Sequence, residues 1–199
     1  NTLGSSIQTI NRADNLAQYF LPADLGGAYG SFDVAAGEGA QGKKMYGGRL
    51  GYKVDDLNVA AGYQTTDTQN TKFKQLSLGG SYDFKVVKVS ALWSQLKLSQ
   101  FKQNIYTIGA VVPVTAAGSV TAQFSKASTN NAADVSSAGD AKMFSIGYLH
   151  NLSKRTALYT TASIIDNDNS NFRVQNNAVA SAVGGKSGRS EEHTSELQS

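Results

Sequence analysis

The stretch KMYGGRLGYKV, Lys44–Val54, alternates along almost its whole length. Tyr46, Leu50, Tyr52 and Val54 fall on one parity, and Gly47, Arg49, Gly51 and Lys53 on the other. A period of two puts these sets on opposite faces of a β-strand, one apolar and one polar. Two architectures use such a strand in opposite senses. A soluble sandwich buries the apolar face between its sheets. A barrel that crosses a membrane turns the same face to lipid and the arginine to water inside.

The pattern recurs every 12 to 18 residues, with no amphipathic helix of any length between repeats. It predicts ten strands. Those in the first half are 15–22, 28–37, 45–54, 57–66 and 75–84; the others are 86–95, 104–114, 119–127, 142–151 and 156–166. Most approach the nine to eleven residues that a tilted strand needs to cross a bilayer, about twice the soluble average. Val59, Ala61 and Tyr63 oppose Asn58, Gly62 and Gln64, and Val89, Ala91 and Trp93 oppose Lys88, Ser90 and Ser94. The polar parity is built of Gly, Ser, Gln, Asn, Lys and Arg, which suits water better than a protein core.

The connections carry a second period. PADLGG, the pair Asp55–Asp56, the turn around Lys85, TAAG and NLSKR are short. Between them come longer polar connections: GEGAQGKK, TDTQNTK, KLSQFKQ, STNNAADVSSAGD and NDNSNFRVQNNAVASAVGGKSG. Alternating short and long connections are expected of an outer-membrane barrel, with tight turns on the periplasmic side and longer loops outside. Aromatics such as Tyr46, Tyr52, Tyr82, Phe84, Trp93 and Tyr106 gather near strand ends, where interfacial girdles lie. Composition agrees with this reading without deciding it. Mean hydropathy is −0.29, there is no apolar run of the length a membrane helix needs, and cysteine is absent, so no disulfide framework exists.

Three motifs carry a family likeness: NRADNLAQYFLP (Asn11–Pro22), LGYKVDDLNVAAGYQT (Leu50–Thr65) and GYLHNLSKRTALYTTAS (Gly147–Ser163). Together they resemble the later part of a Gram-negative general porin of betaproteobacterial type. The likeness extends from Ile10 to about Asp166 and is most specific in the first and last motifs. It implies an all-β fold, a transmembrane antiparallel β-barrel of 16 strands, of which residues 1–188 hold about ten. It further implies a homotrimer in the outer membrane of a Gram-negative bacterium, passing small hydrophilic solutes and ions. Gln18 and Phe20 depart from the family, which often carries charge there.

In such a channel the relevant chemistry is a polar lumen with a charged constriction. Arg12 matches the wall arginine that follows the family's inward-folded loop, so the resemblance assigns it to the constriction. By parity alone, Arg49, Lys53 and Lys88 face the lumen, with Asn58 and Gln64 as wall residues. A net positive lumen favours anions. Cofactors, metals and nucleic-acid partners are not expected: the lysines form no arm or stripe in the sequence, and GGRLG lies within a strand rather than opening a helix. DNDNSN, Asp166–Asn171, lacks the glycine and glutamate of a calcium loop, Asn171 and Asn177 standing in their places. A catalytic triad would have to use His150, since the other histidine, His193, lies in the terminal RSEEHTSELQS. That terminal stretch, 189–199, has no strand pattern, resembles translated sequencing adapter, and is expected to be non-native. The alternatives to a porin are a soluble or surface β-sandwich binding module and an outer-membrane barrel enzyme.

Overall fold

The computed structural model describes residues 15–37, 44–67, 71–130 and 140–168, together with the backbone of 189–198. The described residues form eleven strands: β1 (Leu16–Phe20), β2 (Ala28–Ala35), β3 (Met45–Val54), β4 (Leu57–Asp67), β5 (Lys72–Asp83), β6 (Lys88–Leu98), β7 (Phe101–Pro113), β8 (Gly118–Thr129), β9 (Asp140–Asn151), β10 (Ala157–Asp168) and β11 (Arg189–Gln198). They make one sheet in which each strand pairs only with its sequence neighbours. All ten pairings are antiparallel. The sandwich alternative needs two packed sheets, and the described strands form a single one.

The register fixes which residues share a face, because directly opposed residues point the same way. One continuous row runs Ser31, Arg49, Gly62, Ser77, Ser94 and Ile105 from β2 to β7. The face of that row holds every buried side chain except Thr65, including Met45, Phe73, Leu96, Phe101, Met143 and Ile165. Most of the large exposed apolar side chains lie on the other face, with Tyr46, Leu50, Tyr63, Leu78, Ile108 and Phe124 among them. Side chains crowd on the inside of a curved sheet and splay on its outside. The Arg49 face is therefore concave, and the apolar face convex and open.

Short turns at one end are held by local chemistry. Asp55 and Lys85 adopt left-handed backbone, with φ of 46° and 71°. Asp83 Oδ1 accepts the Lys85 N–H at 2.8 Å, and the Lys85 ammonium pairs with Asp56 of the neighbouring turn. That hydrogen bond to Asp56 holds the Lys85 pKa above its ordinary value. In the Ser-Lys-Arg-Thr turn, the Ser153 hydroxyl accepts the N–H groups of Arg155 and Thr156, each at 3.1 Å. This satisfies two donors that no strand partner reaches.

Three expectations are corrected. KLSQFKQ is not a long connection: β6 and β7 continue to the pair Leu98–Phe101, leaving Ser99 and Gln100 as a two-residue turn. Ser99 takes the left-handed conformation that so tight a turn requires, with φ of 53°. The stretch Arg189–Gln198, read as strandless, runs antiparallel to β10 as β11. A strand edge offers a row of free N–H and C=O groups, and these pair with another chain whatever its side-chain pattern. Finally, the concave face is not polar throughout. Ala127, Ala141, Met143 and Ile165 pack together on it with Ile105, at the end opposite the turns of Asp55, Lys85 and Ser153.

Leu50 stands in mid-strand on the convex face and is 54% exposed. In the full-length protein in lipid, Leu50→Arg is expected to lower unfolding stability by about 2–4 kcal/mol, the usual effect of a cation on a barrel's lipid face near the midplane. Denaturant titration of the lipid-embedded barrel measures it, and an unchanged midpoint would refute the lipid-facing assignment.

Candidate functional site

Glycine spacing builds the most structured polar group on the concave face. Gly47 and Gly51 flank Arg49 two residues away on β3, and Gly62 faces it from β4. Arg49 thus has no bulky neighbour on these three sides, and its side chain is exposed. A Cβ on Gly62 would meet nothing closer than 3.7 Å, so the space beside Arg49 is open.

Gly51 has a second role. Tyr29 on β2 lies directly opposite it, and a Cβ at Gly51 would fall into the Tyr29 ring. Without that Cβ the ring lies across β3, and the phenol donates a hydrogen bond to Asn58 Oδ1 on β4 at 2.5 Å. The Arg49 guanidinium sits 6.0 Å from the Tyr29 ring centroid, within reach of a cation–π attraction. Tyr29 therefore ties three strands together and gives the arginine a face to rest against.

The other expected site residues can be placed in the same frame. Lys53 is opposite Asn58, Gln64 is opposite Gly47, and Lys88 is opposite Asp83, all on the Arg49 face. Lys53 and Lys88 are exposed; Asn58 and Gln64 are half-buried. Gln64 donates to Thr66 Oγ1 at 3.4 Å and approaches Met45 Sδ at 3.2 Å, so it is fixed within the wall. The register brings Arg49, Lys53 and Asn58 into one cluster with Tyr29, while Lys88 lies three strands away from Arg49 near the Lys85 turn. Arg12 lies outside the described residues.

Two carboxylates share this face. Asp33 on β2 is opposite Gly47, and its Oδ1 is buried with no hydrogen-bond partner among the described residues. Asp83 is opposite Lys88. None of Arg49, Lys53 and Lys88 makes a salt bridge among the described residues, where the ion pairs are Lys72–Asp67 and Lys85–Asp56. Among the described residues the wall therefore presents three cations without a salt bridge and two acids. Tyr29 and Asp33 were missed in the sequence, although the parity of AYGSFDVA places both with Ser31. On the convex face, His150 Nδ1 lies 3.0 Å from the Tyr148 hydroxyl.

The bridge across Gly51 makes a coupled prediction. Tyr29→Phe removes the bond to Asn58, at a cost of about 1 kcal/mol, and Gly51→Ala pushes the ring off and removes the same bond. The two changes together are expected to cost less than their sum. Urea unfolding of the four proteins gives the coupling, and strict additivity would show that the ring does not depend on Gly51.

The family model described as "Gram-negative porin" matches residues 1–170. The "Outer membrane porin protein 32" of Delftia acidovorans is 32% identical over 171 residues, covering 78% of this chain and 47% of that protein. An outer membrane porin protein of Bordetella pertussis is 25% identical over 234 residues, covering 92% of this chain and 58% of its own. Among solved structures, the "Anion-selective porin from Comamonas acidovorans" superposes with a TM-score of 0.71 at 28% identity, over 94% of this chain and 58% of that one. The trimer form of OmpT from Vibrio cholerae shares the fold alone, with a TM-score of 0.68 at 13% identity over 94% of this chain and 64% of that one. The chain spans about half the length of its curated relatives. A single antiparallel sheet with an apolar outside, a basic concave wall and these relatives identify the chain as a member of the Gram-negative porin family, proteins of the outer membrane.

Proposed function

We propose that the full-length protein is a water-filled channel for passive diffusion of small hydrophilic solutes and ions, with a preference for anions. The observation that carries this reading is Arg49: an exposed, unpaired cation on the concave wall, flanked by glycines and backed by Tyr29. Lys53 and Lys88 extend the same charge along the wall, with Asp33 and Asp83 as partial counterweights. The Comamonas acidovorans structure, described as anion-selective, supports the sign. Arg12 is proposed as a further constriction residue on the strength of the family motif around Asn11–Pro22. Passive diffusion needs no cofactor or covalent step, so the protein is proposed to have no enzymatic activity. Strands beyond this chain would complete the barrel, and the assembly is proposed to be a homotrimer embedded in outer-membrane lipid.

Charge reversal at Arg49 tests the reading. At about 10 Å across water one unit charge is worth about 0.4 kcal/mol, which salt at about 0.1 M reduces roughly threefold. Arg49→Glu moves anions and cations in opposite directions. It is therefore expected to lower the anion-to-cation permeability ratio about threefold, read from the reversal potential across a planar bilayer under a salt gradient. No ohmic current from the wild-type protein would refute the channel. An unchanged reversal potential would remove Arg49 from the pore wall.

A further inference from the structure

Arg49 stands midway between two possible partners on β2. Across the β2–β3 ladder it is directly opposite Ser31, whose short side chain is buried. Tyr29 lies one step to one side, opposite Gly51, and Asp33 one step to the other, opposite Gly47. All four positions share the concave face. Each diagonal spans about 7–8 Å, within reach of a long side chain. Glycine at both 47 and 51 puts no side chain between the guanidinium and either partner. Gln18, opposite Asp33 on the β1 side, is neutral. Among the described residues of this face, Arg49 is therefore the cation nearest to Asp33 in the register.

The guanidinium takes the ring. Its carbon lies 6.0 Å from the Tyr29 centroid. Asp33 makes no ion pair with it, and the buried Oδ1 of Asp33 has no hydrogen-bond partner among the described residues. At a water-facing site a cation–π contact and an ion pair are of similar size, so neither attraction alone decides the outcome. Placement of the ring does. Tyr29 fills the recess over Gly51, where a Cβ would fall into the ring, and Asn58 holds its hydroxyl at 2.5 Å. Pairing with Asp33 would leave the net charge of the wall unchanged. It would cancel the guanidinium at close range, so that a passing ion would meet a dipole in place of a free cation.

We propose that Tyr29 is a positioning residue for ion selectivity: it holds Arg49 away from Asp33 and so keeps the guanidinium charge free in the lumen. Asp33 is the competing partner, and the Gly51 recess is what seats the ring between the two choices. The inference rests on the reading of Arg49 as a pore-wall cation. It adds that the charge a solute meets there is set by an aromatic ring and a carboxylate one step to either side, and not by the arginine alone.

The anion-to-cation permeability ratio of the full-length protein, read from the reversal potential under a salt gradient, tests this. Tyr29→Leu is expected to lower the ratio by about half, on a logarithmic scale, of the change expected for Arg49→Glu, because one charge is masked and not reversed. Gly51→Ala, which displaces the ring without altering it, is expected to do the same. Two crosses separate positioning from general damage. In an Arg49→Gln background, Tyr29→Leu is expected to leave the ratio where Arg49→Gln put it. Asp33→Asn is expected to raise the ratio more in the Tyr29→Leu protein than in wild type, because there it also releases the guanidinium. Gly51→Ala carries the same two crosses, so a failure of Tyr29→Leu to assemble leaves the test intact. An unchanged ratio without the ring, an equal effect of Asp33→Asn with and without it, or a Tyr29→Leu effect that persists without Arg49 overturns the inference while the channel stands. Absence of ohmic current from wild type would remove the channel and the inference with it.

Discussion

A strand in hydrocarbon has no water to accept its backbone N–H or donate to its C=O, so a neighbouring strand must satisfy both edges. That constraint selects this sheet. Nine internal strands, β2 to β10, have a partner on each side, and the partners are the preceding and the following strand of the chain. Sequential antiparallel pairing keeps most connections short and makes the register a local matter. Once Gly51 is set opposite Tyr29 and Ala60, the facing of Arg49, Lys53 and Asn58 follows without any long-range contact. The turns finish the task by pairing groups the ladder leaves over, as Ser153 does for Arg155 and Thr156.

A sheet built this way has no conventional core. Its stability comes from ladder bonds and from the apolar face in lipid, which frees the concave face to be designed around water. Small residues do much of that work. Glycine at 47, 51 and 62 leaves the guanidinium of Arg49 unobstructed and allows a tyrosine from the next strand to bridge to Asn58. The same face becomes apolar at the far end, where Met143 and Ile165 pack with Ala127 and Ala141. The wall therefore has a polar, positively charged zone and a drier zone, rather than one uniform surface.

Much of this was legible in the residues. The alternation in KMYGGRLGYKV and its nine counterparts locates ten strands and separates the two faces, because a period of two reports facing directly. What escaped has a physical reason in each case. Leu96, Leu98 and Phe101 are apolar residues on the wall parity, and they disguised the ends of β6 and β7 as a polar loop interrupted by hydrophobes. The pairing of β11 depends on the free edge of β10, which no side-chain pattern in 189–198 announces. The Tyr29–Asn58 bond joins residues 29 apart in the chain and becomes visible only through the register.

Charge shows most plainly how much depends on that register. The formal charge of the whole chain, +3, says nothing of where cations act. Lys97 and Lys88 are on the same strand, nine residues apart, and an odd separation sends them to opposite faces. Lys88 stands on the concave wall and Lys97 on the convex face. A one-residue slip in β6 would exchange them, sending Lys97 and Trp93 inward and Lys88 into lipid. The sorting of cations between the two faces is thus a consequence of pairing geometry, and the same geometry that satisfies the backbone ladder decides which charges stand on the concave wall and which on the convex face.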